Sequence, residues 1–233
     1  MSSARPTAVI ACAVFQEALR KRLSAEERAK VQFLDSGLHL VPANLKTTLQ
    51  EALEGLPEPS RVILGYGLCG GGLNGIDAGV HQLVVPRADD CITLFFGSYE
   101  QRQNDFDKHP GSYYITPGWL EAGTHPLGEY QGLLEKYDEE TALWIMGQQY
   151  QHYGRLVLLA DSKAALEEYR PQAQEVADFC ERWGMRYEER VGQRDYLDLM
   201  AAVITGETVS QDDFIVVSPG ERLSLGHFDR RGR

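Results

Sequence analysis

The stretch R-V-I-L-G-Y-G-L-C-G-G-G, residues 61–72, indicates the fold of this chain most clearly. Its first five residues form a short apolar run, which predicts a buried strand over 61–65. The consecutive glycines at 70–72 predict a tight turn, because glycine adopts positive φ angles without a steric penalty. A strand that runs into such a turn is typical of the strand-to-helix junctions of an α/β fold.

The same alternation of strands and helices extends outward from this stretch. Further strands are predicted over 8–11, 31–34, 82–85, 112–116, 155–160, 185–190 and 214–217. Helices are predicted over 15–23, 44–53, 91–106, 127–152, 163–183 and 196–204. This order favours an α/β fold with a mostly parallel sheet and helices on both faces. We expect one domain over 1–233, which divides, if at all, into lobes 1–118 and 119–233 as two related Rossmann-like halves.

Composition narrows the class of protein. The chain has 233 residues, of which 43% are hydrophobic, so it can bury a core without disulfide bonds. A formal net charge of −11 disfavours nucleic acid and anionic membranes as partners. No apolar run approaches the ~20 residues of a membrane span, and the first residues lack the features of a signal peptide. A cytoplasmic protein is therefore expected, in which the four cysteines stay reduced.

Three cysteines follow three predicted strands. Cys12 comes directly after the strand at 8–11, Cys69 follows the strand at 61–65, and Cys91 follows the strand at 82–85. Ligands of open α/β sheets bind beyond the carboxyl ends of the strands, so these thiols are expected at one edge. Free amides at helix N-termini stabilise thiolates there. The pattern predicts three metal ligands and one open coordination position, which is typical of a catalytic metal site.

Two cofactors suit three thiolates. A [4Fe–4S] cluster with one iron not held by cysteine is the first candidate, and a zinc ion is the alternative. No C-x-x-C pair supports either by local spacing, and each cysteine has the alternative role of a small buried hydrophobe. That alternative is the expectation for Cys180, which shares a helical spacing with Val176, Phe179 and Trp183.

Further candidates surround the cysteines. The backbone at Gly70 and Gly71 can approach a substrate closely because it carries no Cβ. Arg87 is a candidate to bind a carboxylate or phosphate through its two-pronged guanidinium. Asp90 is a candidate acid, base or fourth ligand, and Tyr114 a candidate catalytic residue that lines the site. The alternative roles are a tight turn for the glycines, a solvated turn for Arg87 and Asp90, and core packing for Tyr114.

Four sequence blocks resemble those of a known family. The blocks are A-C-A-V-F from Ala11, G-Y-G-L-C-G-G-G from Gly65, D-D-C-I-T-L-F-F-G-S from Asp89 and P-G-S-Y-Y-I-T-P-G-W-L from Pro110. In this order they resemble the signature blocks of the bacterial and archaeal domain-of-unknown-function family numbered sixteen thirty-eight. The resemblance extends from residue 8 to the last predicted strand. Cys12, Cys69 and Cys91 match the family's three cysteine positions, whereas Asp90 stands where relatives carry histidine and Leu68 where they carry aspartate.

The resemblance implies a setting near corrinoid-dependent methyltransferases. Together with the three cysteines, it suggests an enzyme that acts on a small polar metabolite in one-carbon or methyl metabolism. A second hypothesis is a non-catalytic accessory protein of a corrinoid or methyltransferase system. A third is a metal-free enzyme with one nucleophilic cysteine, although no histidine lies next to a cysteine to activate it.

Overall fold

The computed structural model describes residues 5–193, 196–208 and 210–229. The strands in chain order are β1 (Thr7–Cys12), β2 (Val31–Leu34), β3 (Arg61–Gly65), β4 (Gln82–Pro86), β5 (Ser112–Ile115), β6 (Arg155–Ala160), β7 (Arg186–Val191) and β8 (Phe214–Val217). The α-helices are α1 (Gln16–Arg22), α2 (Ala25–Arg28), α3 (Pro42–Glu54), α4 (Cys91–Phe96), α5 (Tyr99–Lys108), α6 (Pro117–Glu121), α7 (Pro126–Leu134), α8 (Glu139–Tyr150), α9 (Lys163–Cys180), α10 (Tyr196–Ile204) and α11 (Leu225–Phe228).

The first unit contains residues 5–94 together with the described residues after 195. Its sheet has the strand order β2-β1-β3-β4-β8, in which β1 to β4 are parallel and β8 runs antiparallel to β4. Strands β1, β3 and β4 are mostly apolar runs, and their residues are mostly buried. Helix α3 buries Leu45, Leu49 and Leu53, because a spacing of four residues keeps them on one face.

The second unit contains the described residues from 95 to 193. Its sheet has the order β5-β6-β7, and all three strands are parallel. Its core joins β6, which is buried along its whole length, to the apolar face of α9. Cys180 at the end of α9 is completely buried in this core, which confirms the expectation of a packing role.

The predicted α/β class with a mostly parallel sheet is confirmed, and the arrangement is Rossmann-like. The two units divide the chain differently from the predicted lobes 1–118 and 119–233. The difference arises because β8 returns to the first sheet, while β5 pairs with β6 in the second. Among the described residues, no helix has the length and apolar character needed to cross a membrane.

Two predicted helices are each interrupted. The single helix predicted over 91–106 is wrong, because Gly97 at φ 71° breaks it and Ser98 caps α5 through the amide of Gln101. The single helix predicted over 127–152 is also wrong, because Asp138 accepts a hydrogen bond from the amide of Thr141 and so begins α8 anew. A capping side chain can start a new helix even where the apolar spacing of the preceding helix continues.

Candidate functional site

The site candidate is the carboxyl edge of the first sheet. The chain passes from β1 to β2 on one side and then returns to β3 on the other, so the strand order reverses between β1 and β3. Open α/β sheets form a crevice at such a switch point. Cys12 is the last residue of β1, and Cys69 lies in the loop that follows β3. Cys91 begins α4 after β4, the next strand of the sheet.

The loops that carry Cys69 and Cys91 are joined through their backbones. The amide of Leu68 donates to the carbonyl of Ala88 at 2.8 Å, and the amide of Cys69 donates to the carbonyl of Asp89 at 2.8 Å. A Cβ on Gly67 would lie 2.6 Å from the backbone nitrogen of Asp90. Only glycine therefore allows the two loops to approach this closely.

The backbone at Cys69 is unusual. Its φ is +49°, and it is the only residue other than glycine with a positive φ in the part of the chain that the structure describes. Gly70 and Gly71 follow at +65° and +95°, and the Gly71 amide donates to the Leu68 carbonyl at 3.1 Å. A side chain held in this region costs about 1 kcal/mol or more, and such strain is concentrated at functional sites. The predicted substrate-binding glycines thus form the turn that holds Cys69 in this conformation.

Electrostatic interactions connect the three thiols. Burial raises the pKa of Cys12 to about 11, and the charge of Asp35 adds to this effect. Burial raises the pKa of Cys69 to about 12, with further increases from Cys12 and Asp90. The pKa of Cys91 is raised well above its usual value, first by burial and then by Asp90, Cys69 and Cys12. Cys12 therefore lies near enough to raise the pKa of Cys69, and both lie near enough to raise the pKa of Cys91.

Backbone amides point at each sulfur. The amide of Val14 lowers the pKa of Cys12, and the amide of Gly67 does the same for Cys69. The backbone amide of Cys91 itself also lowers the pKa of its thiol. These donors favour the thiolate form, and hydrogen bonds to sulfur also tune iron–sulfur clusters.

Tyr66 belongs to the same group, although the sequence reasoning missed it. It follows β3 directly and is only 2% exposed. Its hydroxyl has no hydrogen-bond partner among the described residues. Burial raises its pKa, and Cys12, Cys69 and Asp35 raise it further. We call Tyr66 and the three cysteines the thiol cluster. The position of Tyr66 at the end of a strand was the signal that could have identified it.

Two aspartates border the thiol cluster. Asp35 follows β2 and is exposed, and its carboxylate accepts a hydrogen bond from the amide of Gly37 at 2.8 Å. Asp90 accepts from the amide of Thr93 at 2.7 Å and from its hydroxyl at 2.8 Å. Asp90 thus caps the helix that Cys91 begins, and its role as acid, base or ligand stays a prediction. Sequence reasoning missed Asp35, although it too comes at a strand end.

Arg87 is engaged by the C-terminal segment. Its buried guanidinium donates to the carbonyls of His227 and Gln211, the latter at 3.2 Å. It lines a cavity of about 230 Å³ together with residues of β8. Substrate binding by Arg87 therefore stays a prediction, with backbone carbonyls as its observed partners.

Tyr114 lies in the second unit and is buried. Its hydroxyl donates to the carboxylate of Asp105. The same carboxylate accepts from Arg155 at 2.5 Å and pairs with Arg190 at 2.8 Å. The observed role of the hydroxyl is to complete this ionic group, and the catalytic role predicted for Tyr114 stays a prediction.

The donor set suits a thiophilic metal. Three cysteines lie at the carboxyl ends of neighbouring strands, each near a backbone amide, and the groups that raise their pKa values electrostatically are all acidic. A cation at this place would relieve the repulsion that these groups exert on a thiolate. As the side chains stand in residues 5–193, 196–208 and 210–229, no three or more His, Cys, Asp or Glu residues are arranged to hold a metal ion.

Comparison with known proteins gives one family. The model of the family described as "Protein of unknown function (DUF1638)" matches residues 33–200. The matched range includes Cys69 and Cys91 and begins after Cys12. No curated protein and no solved structure matches the chain.

Proposed function

The chain belongs to the DUF1638 family of proteins of unknown function, and on this premise we propose that Cys12, Cys69 and Cys91 hold one thiophilic metal centre. A [4Fe–4S] cluster is the first candidate and a zinc ion the alternative. The observation that carries the proposal is the placement of three cysteines after β1, β3 and β4 at one edge of the sheet, where Cys12 and Cys69 both raise the pKa of Cys91. Metals bind thiolates and deprotonate them on binding, so a cation replaces the mutual repulsion of these groups by attraction.

The protein groups around the sulfurs have separate tasks in this proposal. The amides of Val14 and Gly67 stabilise the thiolates of Cys12 and Cys69. The strained turn at Cys69 fixes the backbone from which its side chain extends. With three protein ligands one position stays open, and a metal or cluster there supplies Lewis acidity to a bound ligand.

The ligand class follows from the resemblance and from the site. We propose an enzyme that acts on a small polar metabolite of one-carbon or methyl metabolism in the reducing cytoplasm, where thiolates persist. The corrinoid setting that the sequence resemblance implies is the reason for this choice. An accessory protein of a corrinoid methyltransferase system is the alternative, and it needs the same three ligands but no turnover. A metal-free thiol nucleophile is disfavoured, because burial raises the pKa of all three thiols whereas such a nucleophile needs a lowered pKa.

The test is metal analysis of protein purified without oxygen. Iron, zinc and acid-labile sulfide are measured in the wild type and in Cys12→Ala, Cys69→Ala and Cys91→Ala, together with the visible absorption spectrum. Cys180→Ala is the matched control, because it removes a buried thiol from the core of the second unit. Circular dichroism of each variant shows whether it is folded.

Each result has a distinct meaning. Iron with sulfide that is retained in Cys180→Ala and lost in the other three variants supports a [4Fe–4S] cluster. Zinc at one per chain with the same pattern supports the zinc alternative. Wild-type protein with neither metal contradicts the proposal. Retained metal without turnover, and with a co-purifying methyltransferase, favours the accessory role.

A further inference from the structure

Two buried polar atoms in the second unit have no hydrogen-bond partner among the described residues. They are the Nε of Arg102 and the hydroxyl oxygen of Thr116. Thr116 is completely buried, and its side chain makes no cap bond to helix α6, which begins directly after it. A polar group that loses its water without gaining a partner is costly, so native proteins rarely contain one. Both groups therefore have a hydrogen bond to offer to a bound molecule.

The two groups lie on one face of the second sheet. Side chains two residues apart on a strand point to the same face, and the backbone at Thr116 is still extended, with φ −121° and ψ 162°. Thr116 thus shares its face with Tyr114 of β5. The guanidinium carbon of Arg102 lies 5.1 Å from the centre of the Tyr114 ring. Arg102 and Thr116 are therefore neighbours of the same short stretch of β5, in which residues two apart are separated by about 7 Å.

The charges around Tyr114 select an anion. Asp105 and Glu188 pair with Arg155 and Arg190, so that two negative charges balance two positive ones. Both oxygens of Asp105 are already engaged, Oδ2 by Arg155 and Oδ1 by Arg190. Arg102 adds a third positive charge, and it forms no ion pair within residues 5–193, 196–208 and 210–229. The acceptor that its buried Nε lacks is therefore best supplied by a negatively charged oxygen.

Aromatic rings hold Arg102 in place and leave its donors for a ligand. Its guanidinium lies over the ring of Phe106 at 5.5 Å as well as over that of Tyr114. A guanidinium that is positioned by stacking keeps its N–H groups for other partners. Arg102 is only partly buried, and Phe106 is 46% exposed, so the site borders the surface of the unit. The Nε itself is buried, and the exposed ring of Phe106 can turn outward to admit a ligand oxygen.

We propose that Arg102 and Thr116 bind the oxyanion group, a phosphate or a carboxylate, of a small molecule on this face of the second sheet. The Nε and one Nη of a guanidinium form a parallel pair of donors that matches two oxygens of such a group. The Thr116 hydroxyl donates to one of the same oxygens. This site lies in the second unit, apart from the cysteines of the first, and goes beyond the function proposed above.

The test uses the whole chain with inorganic phosphate and acetate as probes, and chloride at equal ionic strength is the reference. Because a ligand that binds only the folded state stabilises it, the thermal midpoint as a function of probe concentration gives the affinity. We expect one or both probes to raise the midpoint of the wild type. Arg102→Gln should bind the effective probe roughly 100-fold more weakly and Thr116→Val roughly 10-fold, as for lost hydrogen bonds to a charged group.

The two probes identify the ligand, and a control identifies the site. A response to phosphate alone indicates a phosphate-bearing ligand, and a response to acetate alone indicates a carboxylate. The matched control is Arg170→Gln, which removes a guanidinium that pairs with Glu189 at 2.7 and 2.9 Å in the same unit. It should bind the probes like the wild type. Without a probe, Thr116→Val should unfold at the same or a higher temperature than the wild type, because its hydroxyl has no partner to lose.

Three outcomes overturn the inference. A wild type that responds to neither probe beyond chloride has no oxyanion site. Equal affinity in the wild type, Arg102→Gln and Thr116→Val shows that the anion binds elsewhere. A lower midpoint for Thr116→Val without a probe shows that the hydroxyl already has a partner in the folded protein. None of these readouts involves the cysteines, so the inference fails or stands independently of the metal centre.

Discussion

Each unit contains one cluster of buried titratable groups, and the two clusters differ in the charges that surround them. In the second unit, Asp105 accepts from the Tyr114 hydroxyl and pairs with Arg155 and Arg190. Arg155 also pairs with Glu188 at 2.8 Å. We call these five residues the Asp105 network. In it every charge faces an opposite charge, whereas the groups that act on the thiol cluster of the first unit are all acidic.

The pKa values show the same contrast. Burial by itself raises the pKa of Asp105, but the Tyr114 hydrogen bond and the charges of Arg155 and Arg190 outweigh it, so the pKa falls below its usual value. In the thiol cluster, burial and the neighbouring acids act in the same direction and raise the pKa of each thiol. The Asp105 network thus pairs its buried carboxylate with two arginines, whereas the charges that act on the thiol cluster come, in the described parts of the chain, from acidic groups alone.

The largest expected effect comes from breaking the complete cluster. Asp105→Ala leaves the guanidinium of Arg155, whose side chain is 6% exposed, without its main buried partner. Loss of one member of a buried ion pair costs about 3–5 kcal/mol, and we expect that decrease in the free energy of unfolding. Urea denaturation measures it. Glu188→Ala is the control, because that carboxylate is 42% exposed and should cost about 1 kcal/mol or less.

Acid should reduce the difference between the wild type and Asp105→Ala. A carboxyl group with a lowered pKa stabilises the fold above its usual pKa of 3.8, and this contribution is lost as the pH falls through the folded-state value. The difference in unfolding free energy should therefore be constant from pH 7 to about 5 and shrink below pH 4. A difference that grows in acid would contradict the assignment of Asp105 as the charged centre of the network.

The second effect concerns how closely two loops approach in the first unit. Gly67→Ala places a Cβ 2.6 Å from the backbone of Asp90, and backbone atoms cannot move aside easily. We expect the unfolding free energy to fall by about 1–3 kcal/mol, as for other overpacked sites. Because the same contact joins Cys69 to Cys91, the metal content should fall as well.

A glycine in the second unit provides the control for this change. Gly132 lies within α7, and a Cβ there would meet no atom within 4 Å. Gly132→Ala should leave the metal content unchanged and raise the unfolding free energy by up to about 1 kcal/mol, since alanine favours the helix. Equal metal content in Gly67→Ala and Gly132→Ala would show that the loop contact does not position the cysteines.

The local parts of this comparison were predictable from sequence. The strands were found because their apolar runs are short and bounded by turn residues. The three cysteines were predicted to share one edge because the strand-end rule applies to any open parallel sheet, and their role as ligands stays a prediction. The same rule applied to every strand would also have found Asp35 and Tyr66, which follow β2 and β3 as directly as Cys12 ends β1.

Other features depend on contacts that spacing does not encode. Strand β8 pairs with β4, which lies more than a hundred residues earlier in the chain. The sequence of β8 does not indicate which strand it pairs with. The carbonyls that hold Arg87 come from the same distant segment. The positive φ of Cys69 is set by the glycines that follow it and by the loop of Ala88 and Asp89. The pairing of Tyr114 with Asp105 likewise needs helix α5 to end on the correct face of β5.

The smallest expected effect is the difference in stability between glycine and alanine substitutions, compared at one cysteine of each unit. Cys69 has a φ of +49°, a conformation that glycine adopts freely and that a side chain strains. In metal-free protein, Cys69→Gly should therefore be more stable than Cys69→Ala by about 1 kcal/mol. At Cys180, which lies in the regular helix α9, the order should reverse, with glycine less stable than alanine by about 1 kcal/mol.

This reversal, measured by urea denaturation of the four variants, isolates the backbone from the lost thiol, because both substitutions at a site remove the same sulfur. If Cys69→Gly proved less stable than Cys69→Ala, the backbone at Cys69 would not be strained. The pKa shifts of the thiols would then be the remaining unusual feature of the site. If the reversal is found while both Cys69 variants lose the metal, Cys69 is needed for metal binding although its backbone conformation destabilises the first unit. Cys180, which has only a packing role, stands in the relaxed backbone expected of a core residue.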